Sequence, residues 1–191
     1  MKKFICVILS LVLVMALCAC GGSESAPAPQ ASIEISADAS NDDIAVSALK
    51  AFLNEGIYQK FVTDYENTIG EKARQLEITN ATEYNIPDFE GNKMHFLMVN
   101  GSADVLVGDG IYDRLILLVD LDSGAVYDQY SMDTVNFDGD VSTLEGRIRY
   151  CMNCYDSYLM GHNDGIMTNP ELETKTDLSA DEIAAINAAI R

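Results

Sequence analysis

The stretch KMHFLMVNGSADVLVGDGIYDRLILLVDLDSGAVYDQY, residues 93–130, decides the fold, because apolar runs of strand length alternate in it with turn-forming residues. Leu115 to Val119 are all apolar. A strand with one face in water alternates, so this one is expected to be covered on both sides. Gly108-Asp109-Gly110 and Asp122-Ser123-Gly124 turn the chain, giving strands at 113–121 and 125–130. Asn100-Gly101 is the pair preferred in two-residue hairpin turns, since both positions accept positive φ, and it predicts a hairpin of 93–99 with 102–107. A first strand is expected within 73–84. Together these make an antiparallel meander of about four to five strands.

Helices flank the meander. Residues 42–54 carry Asn41 or Asp42 as a candidate cap, a stripe of Ile44, Ala48, Leu49 and Phe52, and Gly56 as a stop. A weaker helical stretch covers 57–68. After the meander, Ser142-Thr143-Leu144-Glu145 has the form of a capping box and opens a helix striped by Leu144, Ile148, Cys151 and Tyr155, with Gly161 to end it. Asn163 to Asp177 reads as a loop. The tail has Ser179 as cap, Asp181 and Glu182 in its first turn, and Ile183, Ile186 and Ile190 on one stripe, so it should dock on the sheet. The expected class is α+β: an N-terminal helix over one face, the meander, and C-terminal helices over part of the other. The layout is similar to cystatin-like and NTF2-like domains, an analogy that carries no function.

Ahead of this domain, Lys2 and Lys3 precede an apolar run from Phe4 to Ala19, shorter than the ~20 residues a spanning helix needs and suited to an export signal. The run ends Leu17-Cys18-Ala19-Cys20-Gly21, which resembles the lipobox of bacterial lipoproteins: an aliphatic residue, two small residues and the cysteine that receives lipid. Cys18 departs from the usual Ser, Thr or Ala but is small. The resemblance implies cleavage of 1–19, a diacylglycerol on the Cys20 thiol, and a location on the outer face of the cytoplasmic membrane. It covers this terminus alone. Residues 21–41, rich in Ser, Ala, Pro and Gly and lacking aromatics, read with Cys20 as a disordered linker of roughly 25 Å average reach. Residues 42–191 then form a single domain.

The chain carries −18 net charge, and cleavage of the signal would remove Lys2 and Lys3 as well. Phosphate binding depends on Lys and Arg releasing counterions, so nucleic acid is excluded as a partner. Of the five cysteines only Cys151 and Cys154 belong to the domain, which is no disulfide framework. Both lie well inside a helix, whereas a redox Cys-x-x-Cys sits at a helix N-terminus, where the dipole lowers the thiol pKa. Zinc would need Cys151, Cys154, His162 and either His95 or Asp164. A lone Cys-x-x-Cys with one loose His is a weak pattern, and buried thiols acting as small apolar side chains are preferred.

Acids gather at Asp120, Asp122, Asp128, Asp133, Asp138, Asp140 and Glu145. Asp138-Gly139-Asp140 beside Ser142 suits calcium chemically, but EF-hand spacing is absent, and Asp122 reads as a turn former. There is no nucleophile elbow, phosphate loop, His-Glu-x-x-His or dinucleotide fingerprint. Tyr112, Tyr127 and Tyr130 fall at turns and strand ends, where half-exposed rings meet partners or close the rim of the core. The expectation is a membrane-anchored acidic domain that binds an unknown protein or small molecule without catalysis and without a cofactor. The alternative is a calcium-dependent module or an extracytoplasmic hydrolase using residues 120–145.

Overall fold

The computed structural model describes residues 28–89, 91–131, 142–144, 146–151 and 175–191. The order is β1 (Ala31–Ser32), α1 (Asn41–Asn54), α2 (Ile57–Ile69), β2 (Glu77–Phe89), β3 (Asn92–Val107), β4 (Gly110–Asp120), β5 (Ala125–Asp128), β6 (Lys175–Asp177) and α3 (Ala180–Ala189), with residues 144 and 146–151 also helical. All strand pairs are antiparallel, in one six-stranded sheet of order β1-β5-β4-β3-β2-β6. The protein is an α+β fold whose centre, β2 to β5, is the expected meander.

Covering on both sides of β4 is realised residue by residue. Leu115, Leu117 and Val119 point into one apolar cluster with Ile44, Leu49 and Phe52 of α1, while Ile116 and Leu118 point into another with Ile148 and Cys151. Strand period two sends alternate side chains of one uniform run into two cores. Neighbouring β3 divides likewise, with Phe96 and Met98 on the Cys151 side and Leu97 and Val99 on the α1 side. Cys151 is thus a buried member of the core, as its place on the helical stripe implied.

Several expectations need correction. Asn100-Gly101 is no turn: β3 runs straight through it, with Gly101 paired to Ile78 on one side and Leu115 on the other. Gly101 is needed there for space, since a Cβ would stand 2.8 Å from Leu76 Cδ1 and 3.2 Å from the Glu77 carbonyl oxygen. The chain reverses instead at Gly91 (φ 80), between Phe89 and Asn92, and at Gly108 (φ 59), between Val107 and Gly110. The expected first strand, 73–84, lies later, at Glu77–Phe89.

Nor is 21–41 wholly a linker, so the domain begins before residue 42. The Gln30 amide donates to the Val126 carbonyl, Ala31 and Ser32 pair with Val126 and Ala125, and the Ile33 amide donates to the Gly124 carbonyl. Ile33 and Ile35 lean on the α1-side core, which is the apolar surface that composition alone understates. Ser40, not Asn41 or Asp42, precedes α1 as its cap residue, its hydroxyl donating to Asp43 Oδ2 at 2.9 Å. Ahead of helical residues 144 and 146–151 the cap is Thr143 rather than Ser142, with Thr143 Oγ1 accepting from the Gly146 amide.

Part of the presumed loop 163–177 is strand β6, paired with Thr82 to Tyr84. The following α3 starts at the expected cap, Ser179, which Glu182 completes into a capping box. It docks on the α1 side, the face opposite to Cys151, because Asn187 lends its side-chain amide to both the N–H and the carbonyl of Ile78 on the β2 edge. Ile186 is fully buried beneath it.

Candidate functional site

Two places carry chemistry that the core does not absorb. The first follows from unequal strand lengths. Pairing of β2 with β3 stops at Glu77–Ser102, and pairing of β5 with β4 stops at Leu117–Asp128, so the rest of β3 and β4 continues as a two-stranded ribbon closed at Gly108 and Asp109. On it Leu106 faces Ile111 and Val105 faces Tyr112. Ile111 is 56% exposed and Tyr112 38%, two of the three large apolar side chains that stand exposed among the described residues.

Aromatic rings brace this ribbon. Tyr112 lies 5.0 Å from Tyr130, which meets Phe61 of α2 edge-on at 5.5 Å. The Tyr130 hydroxyl donates to the Arg114 carbonyl, and burial pushes its pKa well above the ordinary value. Behind it, Tyr58 of α2 is pushed up to about 12, first by burial and then by the negative charge of Asp104. Asp104 ties the preceding loop to the ribbon: Arg74 Nε is 2.7 Å from its Oδ1, and the Arg74 amide donates to its Oδ2. The ribbon is therefore held firmly at its base while its outer residues meet solvent.

The second place lies at the opposite end of the sheet. His95 on β3 sits with Nε2 3.2 Å from Glu83 of β2 and Nδ1 3.2 Å from Asp122 in the β4–β5 turn. Asn41 donates to Glu83, and Lys93 Nζ to Asp122 at 2.6 Å. Partial burial works to raise the Asp122 carboxyl, but hydrogen bonds from Lys93 and His95 outweigh it and hold the group below the usual carboxylate range. The two carboxylates face different nitrogens of one ring, which orients the imidazole but leaves no shared vertex for a cation. Among the described residues no three or more His, Cys, Asp or Glu side chains are placed to hold a metal ion.

The remaining acids are mostly turn chemistry. Asp120 accepts from the Asp122 amide and the Ser123 hydroxyl, so the turn former is Asp120, and the side chain of Asp122 is spent on Lys93 and His95. Asp128, completely buried, accepts from the amides of Tyr130 and Ser131 and from the Ser131 hydroxyl. Of the three tyrosines offered as a binding surface, Tyr127 is corrected: it is 4% exposed and belongs to the core on the Cys151 side. Tyr130 closes the rim and Tyr112 alone is exposed. Ile111 was not singled out by sequence; the only hint is its position directly after Gly108-Asp109-Gly110, and its exposure depends on strand lengths elsewhere. Asp138 and Asp140, proposed for calcium, Cys154, His162 and Asp164, proposed for zinc, and Asp133 and Glu145 of the acidic stretch lie outside the described residues, as do Cys20 and the lipobox.

The chain matches no protein family, no curated protein and no solved structure.

Proposed function

We propose that this chain is a bacterial lipoprotein, anchored through Cys20 on the extracytoplasmic face of the membrane, whose acidic α+β domain binds and does not catalyse. The observation that carries the binding part is the tip of the β3–β4 ribbon, where Ile111 stands exposed beside Leu106 on one face and Tyr112, leaning on Tyr130, is partly exposed on the other. The anchoring part rests on Leu17-Cys18-Ala19-Cys20.

Two further facts support a binding role. Among the described residues, each carboxyl whose titration shifts clearly, Glu66, Asp122 and Glu182, moves down, as expected of ion-pair and capping partners and opposite to a general acid. The overall charge of −18 repels nucleic acid and anionic lipid, which leaves neutral or zwitterionic partners. Cys20→Ala should move the full chain from the membrane fraction to the soluble fraction; unchanged retention would defeat the lipobox reading. The calcium alternative, through Asp138 and Asp140, predicts a rise in Tm with excess calcium over EDTA, since a ligand at a hundred times its Kd adds about 2.7 kcal/mol.

A further inference from the structure

We infer that the partner of the Ile111–Tyr112 ribbon is the surface of the bilayer to which the chain is tethered, an inference that rests on the Cys20 anchor proposed above. The chain enters the sheet at Gln30, whose amide bonds Val126 and whose side chain accepts from the Asp128 amide. Asp128 is level with Leu117 of β4. From Leu117, β4 runs back six residues to Ile111, about 20 Å at about 3.4 Å per residue, toward the same end of the sheet at which the N-terminal segment arrives. About eight residues separate Cys20 from Ala28, a contour of at most about 29 Å. The ribbon thus projects from the tethered end by a distance the tether can match.

Side-chain chemistry at the tip suits the interfacial layer. Tyrosine favours the membrane–water boundary, where its ring is buried and its hydroxyl stays wet, and Ile111 with its cross-strand neighbour Leu106 supplies apolar surface. Asp109 at the turn and exposed Asp113 beside Tyr112 would be repelled by anionic headgroups and attracted by the ammonium of zwitterionic ones. The surface recognised is therefore a choline- or ethanolamine-bearing layer. Contact too weak to hold a free domain becomes effective once the anchor makes it intramolecular.

The chain has no tryptophan, so one introduced residue reports alone. Ile111→Trp and, at the far end of the sheet, Glu34→Trp would each be made in the full chain, isolated from membranes with its lipid, and reconstituted into phosphatidylcholine vesicles with brominated acyl chains. Expected is loss of most emission from Ile111→Trp, with Glu34→Trp unquenched. If the chain floats with the vesicles and neither tryptophan is quenched, the anchor stands and the ribbon inference falls. A blue shift at position 111 that grows with protein concentration and ignores bromine would assign the ribbon to a second copy of the chain and overturn it equally. Failure to float would overturn the anchor and, with it, the inference. Ile111→Ser combined with Tyr112→Trp guards against the first reporter creating its own affinity: the bromine quenching should fall markedly relative to Tyr112→Trp alone.

Discussion

At the scale of single residues, the most constrained positions are those where a side chain is missing or fully spoken for. Gly101 sits mid-strand with a negative φ, so its role is space, and Gly101→Ala would press a methyl against Leu76 Cδ1 and the Glu77 carbonyl. Overpacking of this kind costs about 1–3 kcal/mol, to be read as a lower denaturant midpoint with unchanged m-value. Asp128 supplies acceptors to two amides and a hydroxyl from inside the core. Asp128→Ala leaves those donors without their acceptor and should cost about 1–3 kcal/mol, whereas Asp128→Asn, keeping one carbonyl oxygen, should cost less. Equal losses for the two would show that packing and not hydrogen bonding matters there. Leu117→Ala, inside the doubly covered strand, is expected to cost about 2–5 kcal/mol. Its burial was legible in sequence, because five consecutive apolar residues admit only one environment. The crowding at Gly101 was not, since it comes from β2, more than twenty residues earlier.

Elements show the same division. The stripes of α1 and α3 were legible and so was the Ser179 cap, whereas α2 gave only a weak pattern and the caps at Ser40 and Thr143 were each misplaced by one or two residues. Ser179→Ala should destabilise α3 by about 0.5–2 kcal/mol. The Glu182 carboxyl is held below its ordinary value by the hydrogen bonds from the Ser179 side chain and amide, so its contribution is present above the ordinary carboxylate range and is lost as pH falls through its folded pKa. The Ser179→Ala effect should therefore shrink at acid pH. Strand β1 was not foreseen, for two residues of alternating Ala and Ser carry no periodic signal. Gly124 decides whether it docks: φ is 73, and a Cβ would lie 2.0 Å from the Ile33 carbonyl oxygen. Gly124→Ala should free β1, seen as fast hydrogen exchange at the Gln30 and Ile33 amides while the β3 and β4 amides stay protected. Retained protection at Ile33 would refute this coupling.

For the molecule as a whole, the titrating groups bracket a plateau of stability. Glu66, Asp122 and Glu182 are shifted down, so what they contribute is lost as pH falls below about 4. Tyr58, Tyr127 and Tyr130 are shifted up, so their neutral, buried state favours folding below about pH 10, and that contribution is lost as pH rises through the folded values. Tm against pH should fall at both ends, and a profile flat to pH 2 or to pH 12 would contradict the assignment. At neutral pH the −18 charge strains the compact state through self-repulsion, so added salt should raise Tm; a decrease would mean that the surface ion pairs outweigh the repulsion.

By itself the sequence determined the class of fold, the meander, the doubly covered β4, the end of α1 before Gly56, the cap of α3 at Ser179, and the expectation of a lipid anchor. These are local properties: periodicity, turn chemistry and a short motif are complete within the residues that carry them. Tertiary structure alone decided that Asn100-Gly101 would stay extended, that 30–33 would join the sheet, that α3 would take the α1 side, that Tyr127 would be buried, and that Ile111 and part of the Tyr112 ring would face solvent. Each of these depends on which distant segment lies alongside. A hairpin signal yields when two neighbouring strands offer a continuous ladder of hydrogen bonds. A ribbon is exposed only because β2 and β5 end before it does.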